Sequence, residues 1–180
     1  MPNGSLKLRG RVRAVLGDNI DTDLIYPGRY LNITDREKTA EHLFEMAYQE
    51  IRTGLQAGDF IVAGKNFGCG SSREQAAAAL KFAGCGGVIA ASFARIFFRN
   101  AINLGLAAVV SPEEAARSAA GDEIEIDLVA GKIHNLTQDR IFTSAPLDPR
   151  AAELLAAGGL VPYLKAKYQQ QRRDSCLTTV

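Results

Sequence analysis

Tryptophan is absent from this 180-residue chain, histidine occurs twice (His42, His134) and cysteine three times (Cys69, Cys85, Cys176). The cysteines are widely spaced and form no Cys-x-x-Cys pair. That excludes a disulfide framework and a self-contained zinc or iron–sulfur site, and it points to a reducing cytoplasm. His42 falls in a helical stretch and His134 in a strand, so both read as structural or surface groups. No apolar run approaches the ~20 residues of a membrane span. Met1-Pro2-Asn3-Gly4-Ser5 lacks the apolar centre of a signal peptide. An excess of one charge is missing too: 21 basic and 20 acidic residues give +1, and their dispersal leaves no nucleic-acid footprint. No internal repeat or linker interrupts the chain. The expectation is one domain over residues 1–168 with its own core and a flexible polar tail over 169–180.

What is present centres on Gly64-Lys65-Asn66-Phe67-Gly68-Cys69-Gly70-Ser71-Ser72-Arg73-Glu74. The apolar run Phe60–Ala63 leads in as a buried strand, and the helical pattern Ala76–Phe82 leads out. Glycines there let the backbone turn and let a ligand approach. Ser71 or Ser72 falls where a helix N-cap belongs. Backbone N–H groups at that helix start face an anion, and Arg73 brings a planar fork suited to a carboxylate. One reading is an anion pocket holding a serine hydroxyl; the other is a plain helix cap. Three better-known motifs are excluded. A P-loop needs Ser or Thr after Gly64-Lys65. A dinucleotide fingerprint needs glycine where Arg73 stands. A nucleophile elbow needs Gly-x-Ser-x-Gly.

From the N-terminus, Leu8, Gly10, Val12, Ala14 and Leu16 alternate with Lys7, Arg9, Arg11 and Arg13, the pattern of a half-exposed strand. Asp18, Asp21 and Asp23 suggest calcium, but the glycine and terminal glutamate of an EF-hand are missing. The stretch reads either as an Asx-turn cluster or as a loop presenting Thr22, Asp23 and Arg29 to a site. Thr34-Asp35-Arg36-Glu37 is a capping box, and the apolar spacing from Ala40 to Ile51 predicts a helix of about four turns. Val88–Ala91 reads as a strand. Ser92 then caps a helix to Leu104 that ends at Gly105. Arg95 and Arg99 share a face of it, as pocket walls or as plain surface. Leu106–Val110 is another strand, and Ser111-Pro112-Glu113-Glu114 opens a short helix with a second capping box. Glu123–Leu128, Ile133–Leu136 and Ile141–Thr143 read as a hairpin and a third strand. A final helix over Ala151–Ala157 stops at Gly158-Gly159. Leu160–Tyr168 is a further amphipathic segment. The order implies an α/β fold, a parallel β-α-β core with added hairpin strands.

Three of these stretches together, Asp21-Thr22-Asp23 with Pro27–Leu31, Gly64–Glu74 and Ser92–Ala101, resemble the small subunit of 3-isopropylmalate dehydratase. That family is similar to the mobile last domain of aconitase. The likeness runs from Leu6 to Tyr168 and includes Ala157–Leu164. It implies a swivelling β/β/α domain, aconitase C-terminal-domain-like, and half of a heteromeric hydro-lyase. The [4Fe-4S] cluster is then expected on a large partner subunit, with no metal on this chain. The resemblance casts Ser71 as base, supported by Arg73, Thr22 and Asp23. Gly70, Ser72 and Arg95 join it on the substrate side. It also places substrate choice in the segment after Pro27, through Arg29, Leu31, Asn32 and Ile33. Forms accepting a third carboxylate carry Tyr-Leu-Arg there, and isopropylmalate forms tend to an apolar residue in place of that Arg. Tyr30-Leu31-Asn32-Ile33 departs from both.

The implied activity is dehydration and isomerisation of a 2-alkylmalate, isopropylmalate first. The alternatives are a homoaconitase subunit, a dimethylmalate or citramalate dehydratase subunit, and a non-catalytic partner of the large subunit. The loop Leu24–Asn32 is expected to move, since it must admit substrate and then exclude water.

Overall fold

The computed structural model describes residues 6–177, with side chains through Arg172. The readings on Met1–Ser5 and on the Cys176 side chain lie outside the described residues. Seven strands, β1 (Lys7–Leu16), β2 (Phe60–Ala63), β3 (Gly87–Ala90), β4 (Ala107–Val110), β5 (Glu123–Asp127), β6 (Lys132–Asn135) and β7 (Arg140–Thr143), form one sheet in the order β4-β3-β2-β1-β5-β6-β7. The half from β4 to β1 is parallel. The half from β1 to β7 is antiparallel. The helices are α1 (Thr22–Ile25), α2 (Arg36–Glu41), α3 (Gln49–Gly54), α4 (Glu74–Phe82), α5 (Arg95–Leu104), α6 (Pro112–Arg117), α7 (Pro149–Ala156) and α8 (Leu160–Leu177).

Strands β2 and β3 are apolar throughout because both of their faces are covered. On one face Ile61, Ala63, Val88 and Ala90 pack with Ala76, Leu80, Phe97 and Ala101 of α4 and α5. The alanine run of α4 brings that helix close to the sheet. On the other face Phe60, Val62, Ile89 and Val109 share a core with Ile124, Ile126, Ile133 and Phe142. The antiparallel half therefore curls back over the parallel half, giving the expected β/β/α layering. Strand β1 serves both halves through a bulge between Val12 and Ala14. A single apolar face from Leu8 to Leu16 is thus not what forms. Leu8 and Val12 join the second core, whereas Ala14 and Leu16 join the first. Arg13, at the bulge, pairs with the buried Asp59 at 3.0 Å.

Local signals were overruled here in four places. The four-turn helix is two short ones, α2 and α3, because the chain turns between them with Phe44 and Tyr48 at φ 50° and 63°. That turn buries Leu43 and Phe44 fully. Asp35, not Thr34, caps α2, accepting from Lys38 N at 3.0 Å. Ser111 does not cap α6 with its side chain; its hydroxyl donates to the Thr143 carbonyl of β7 at 3.0 Å. The segment expected as a tail is helical, since α8 continues past Tyr168 to Leu177. Among the described residues no helix is long and apolar enough to cross a membrane.

Glu114, the other half of the expected second capping box, is buried beneath α6. Its Oε1 accepts from Ser118 Oγ at 2.6 Å and Asn135 Nδ2 at 3.3 Å, and its Oε2 has no partner among the described residues. Burial pushes its pKa up against the two hydrogen bonds, and the nearby Asp122 adds to the rise. Burial would raise Asp122 as well, but donors from Ala119 N, Asn135 and Gln138 outweigh it and hold that carboxyl low. The folded chain therefore keeps the Glu114 proton to higher pH than the unfolded chain does. The stability that Glu114 contributes thus falls as pH rises from the ordinary carboxylate pKa through the raised one. Followed upward from about pH 4.5, urea midpoints should be more favourable to Glu114→Gln relative to the native protein as pH rises, whatever the variant's offset.

Candidate active site

The loops that leave the carboxyl ends of β1, β2 and β3 meet at one end of the sheet, the usual ligand position in open α/β sheets. Parallel pairing continues there beyond the strands. Asp21 bridges to Cys69, and Phe67 bridges to Phe93. Thr22 N donates to Cys69 O at 2.9 Å, and Gly68 N to Ile20 O at 2.8 Å. On the other side Phe67 N donates to Ser92 O at 3.0 Å, and Ala94 N to Phe67 O at 2.9 Å. The central loop is thus held between its neighbours in the same order as the strands. Gly68 makes the turn at φ 76°, and a Cβ there would lie 2.2 Å from Phe97. Phe97 is nearly fully buried and meets Phe67 edge-on at 5.1 Å.

An open cavity of about 490 Å³ lies on this junction. One wall is Thr22, Gly68 and the run Gly70–Arg73; the other is Ala94–Phe97 and Arg99 at the start of α5. Ser71 and Ser72 do not cap α4. The helix begins at Glu74 with Arg73 in the cap position and no side-chain cap bond. Both serines are exposed. Among the described residues neither hydroxyl has a partner within the chain, so both are available to a ligand. Thr22 is buried, and its Oγ1 donates to the Ser71 carbonyl at 2.9 Å, fixing the backbone that carries the serine. Ser92 does not cap α5 either; its hydroxyl accepts from Asn66 N at 2.9 Å, and α5 starts at Arg95.

Asp23 sits behind the wall. Its Oδ1 is paired with the Arg73 guanidinium and accepts from Gly28 N at 3.1 Å. The hydrogen bond from Arg73 holds the Asp23 carboxyl below the usual carboxylate range, against the opposing effect of burial. Gly28 makes room for this pair, since a Cβ there would lie 3.2 Å from the guanidinium nitrogens. The three early aspartates are engaged separately: Asp18 with Lys65 N, Asp21 with Leu24 N, and Asp23 with Arg73.

The structure therefore brings together Thr22, Gly70, Ser71, Ser72, Arg73 and Arg95, with Asp23 adjoining. Arg29, Leu31, Asn32 and Ile33 are not on the cavity wall. Arg29 donates to Glu45 at 2.7 Å and lies over the Tyr30 ring. Burial would raise Glu45, but bonds from His42, Arg29 and Tyr30 leave its pKa lowered. Leu31 and Asn32 are exposed, and Ile33 is half-buried. Arg99 does line the cavity. Ile96 and Phe97 were not foreseen there; the one signal was an isoleucine at a helix start between two arginines.

Among the described residues no three His, Cys, Asp or Glu side chains gather closely enough to hold a metal ion. Cys85 is buried, its thiol donating to the Asp59 and Gly87 carbonyls, and burial pushes its pKa up to about 12. Cys69 is half-buried and, among the described residues, has no second thiol beside it. The donors among the described residues do not fit an iron–sulfur cluster.

Residues 46–114 match the aconitase C-terminal domain family. The chain is 55% identical over 151 residues to a 3-isopropylmalate dehydratase small subunit of Moorella thermoacetica, covering 84% of this chain and 91% of that one. The chain belongs to the 3-isopropylmalate dehydratase small-subunit family. A methanogen homoaconitase small subunit of Methanothermobacter thermautotrophicus is 50% identical over 159 residues, 88% of this chain and 91% of the relative. The crystal structure of 3-isopropylmalate dehydratase from Methanocaldococcus jannaschii superposes with TM-score 0.86 at 42% identity, covering 94% of this chain and 99% of that one. Relatives under two enzyme names thus stand at similar identity to this chain.

Two outcomes test the geometry. In Arg73→Gln the Asp23 carboxyl should titrate at higher pH than in the native protein, as followed by carboxyl-carbon NMR. Gly68→Ala should lower stability by about 3 kcal/mol, from the positive φ together with the collision at Phe97, measured by urea unfolding.

Proposed function

We propose that this chain is the small subunit of a two-chain hydro-lyase that interconverts 2-isopropylmalate and 3-isopropylmalate, the isomerisation used in leucine synthesis. The observation that carries it is a pair of unpartnered serine hydroxyls on a glycine-turned loop, walled by arginines, in a chain of this family. The cavity is open on one side, and we assign its closing face to the large subunit. We assign the [4Fe-4S] cluster to that partner too, since the donors among the described residues do not suit one. The reduced thiols fit a cytoplasmic location.

The chemistry removes a proton beside a carboxylate and expels hydroxide from the adjacent carbon, then adds water back with the positions exchanged. In this reading Ser71 Oγ, as the alkoxide, takes the proton and returns it. An alkoxide needs strong stabilisation. The N–H groups before α4 and the cations of the cavity supply it. Thr22 holds the Ser71 backbone, Asp23 orients Arg73, and Ser72 and Gly70 meet the substrate's carboxylate. Arg95 faces them from α5. The segment 29–33 we place as the part that moves toward the cavity when the large subunit docks.

A second reading, homoaconitase, is favoured by one observation: Arg95 and Arg99 give the cavity two cations beyond Arg73. Anaerobic reconstitution with the cluster-bearing large subunit, assayed on isopropylmalate, dimethylmalate, citramalate and homocitrate, separates the readings. Turnover of a 2-alkylmalate alone supports the first, and turnover of homocitrate supports the second. No turnover by an intact complex would leave a non-catalytic partner. Ser71→Ala should lower kcat about 10³-fold while co-purification with the large subunit is unchanged.

A further inference from the structure

The two walls of the cavity differ in how their charge is balanced. Arg73, the cation of the serine wall, is ion-paired with Asp23 and only 15% of its side chain is exposed. The α5 wall carries Arg95 and Arg99, one helical turn apart and both exposed. Among the described residues neither has an acidic partner. Two uncompensated guanidiniums therefore face the same open volume. Like charges at this spacing repel, so the pair by itself contributes no stability to α5.

Between them in the chain stands Ile96, which also lines the cavity and is 44% exposed. Its neighbour Phe97 is 2% exposed and packs on Phe67 and Phe93, so the core needs Phe97 and not Ile96. The wall thus offers a cation, an apolar surface and a second cation in succession. A 2-alkylmalate presents two carboxylates and a branched alkyl group, the matching set.

We infer that Arg99 holds the substrate carboxylate distal to the serines and that Ile96 contacts the alkyl branch, making the first turns of α5 a selectivity element in addition to the 29–33 segment. This rests on the dehydratase reading above. A guanidinium grips a carboxylate by two parallel hydrogen bonds, which lysine replaces only as a point charge. Apolar contact discriminates one or two methyl groups by roughly 10- to 200-fold in kcat/KM.

The test uses the reconstituted two-subunit enzyme with native chain, Ile96→Ala, Arg99→Gln and Arg99→Lys, each checked for co-purification with the large subunit. Isopropylmalate and citramalate are compared as substrates. Ile96→Ala should cut the isopropylmalate-to-citramalate ratio of kcat/KM about tenfold. Arg99→Gln should raise KM about tenfold or more for both substrates with a smaller change in kcat, and Arg99→Lys should recover part of it. An unchanged ratio in Ile96→Ala, a loss in Arg99→Gln confined to kcat, or failure of the variants to co-purify overturns the inference while the dehydratase reading stands. Inactivity of the native complex on every 2-alkylmalate overturns both.

Discussion

Everything at the candidate site depends on backbone pairing that outlasts the strands. Where β1, β2 and β3 end, their loops do not separate. The bridges Asp21–Cys69 and Phe67–Phe93 extend the parallel sheet by one more step on each side of the central loop. A polar loop held by main-chain hydrogen bonds on both flanks needs no side-chain cap to be ordered. That leaves the hydroxyls of Ser71 and Ser72 free, and it leaves Thr22 to grip the Ser71 carbonyl rather than a ligand. The geometry of the loop is set by the sheet beneath it and not by the helix that follows.

The same constraint explains the two glycines that matter most. The central loop can lie flat between its neighbours only if Phe97 of α5 packs up against it, and Gly68 is where that contact is made. Gly28 plays the equivalent part for charge, since it lets the Arg73 guanidinium lie against the 28 backbone and reach Asp23. Both residues supply absence of volume at a crowded crossing. Their removal would displace an aromatic core residue in one case and a charge in the other.

The sheet's division into a parallel and an antiparallel half serves the site indirectly. The meander β5–β7 covers the face of the parallel strands that the helices leave bare. Both faces of β2 and β3 are thereby dry, which makes the strand ends rigid supports for the loops. The cost of covering that face appears at Glu114, a carboxyl carried under α6 with one oxygen unpartnered among the described residues. Strand β1 joins the two halves, and its bulge reconciles their opposite demands on its side chains.

The sequence by itself determined the element order, the three loops and most of the cavity's serine wall. Apolar runs of four, strict alternation from Glu123 to Leu128 and glycines at turns are local signals, readable because their cause lies within a few residues. Thr22, Gly70, Ser71, Ser72, Arg73 and Arg95 were legible for the same reason, aided by a family likeness carried on those short stretches. What only the tertiary structure decided involves partners far apart in the chain. Ser111 and Ser92 have cap-like contexts, yet their hydroxyls bond to Thr143 and Asn66. The helix expected from Ala40 to Ile51 breaks because burying Leu43 and Phe44 outweighs helical continuity. Its break brings Glu45 to Arg29, which removes that arginine from the site. At Ile96 and Phe97 the helical spacing Phe97, Ala101, Leu104 already assigns Phe97 to the core, but only the loop around Ser71, far earlier in the chain, makes the surface that Ile96 faces the wall of a cavity.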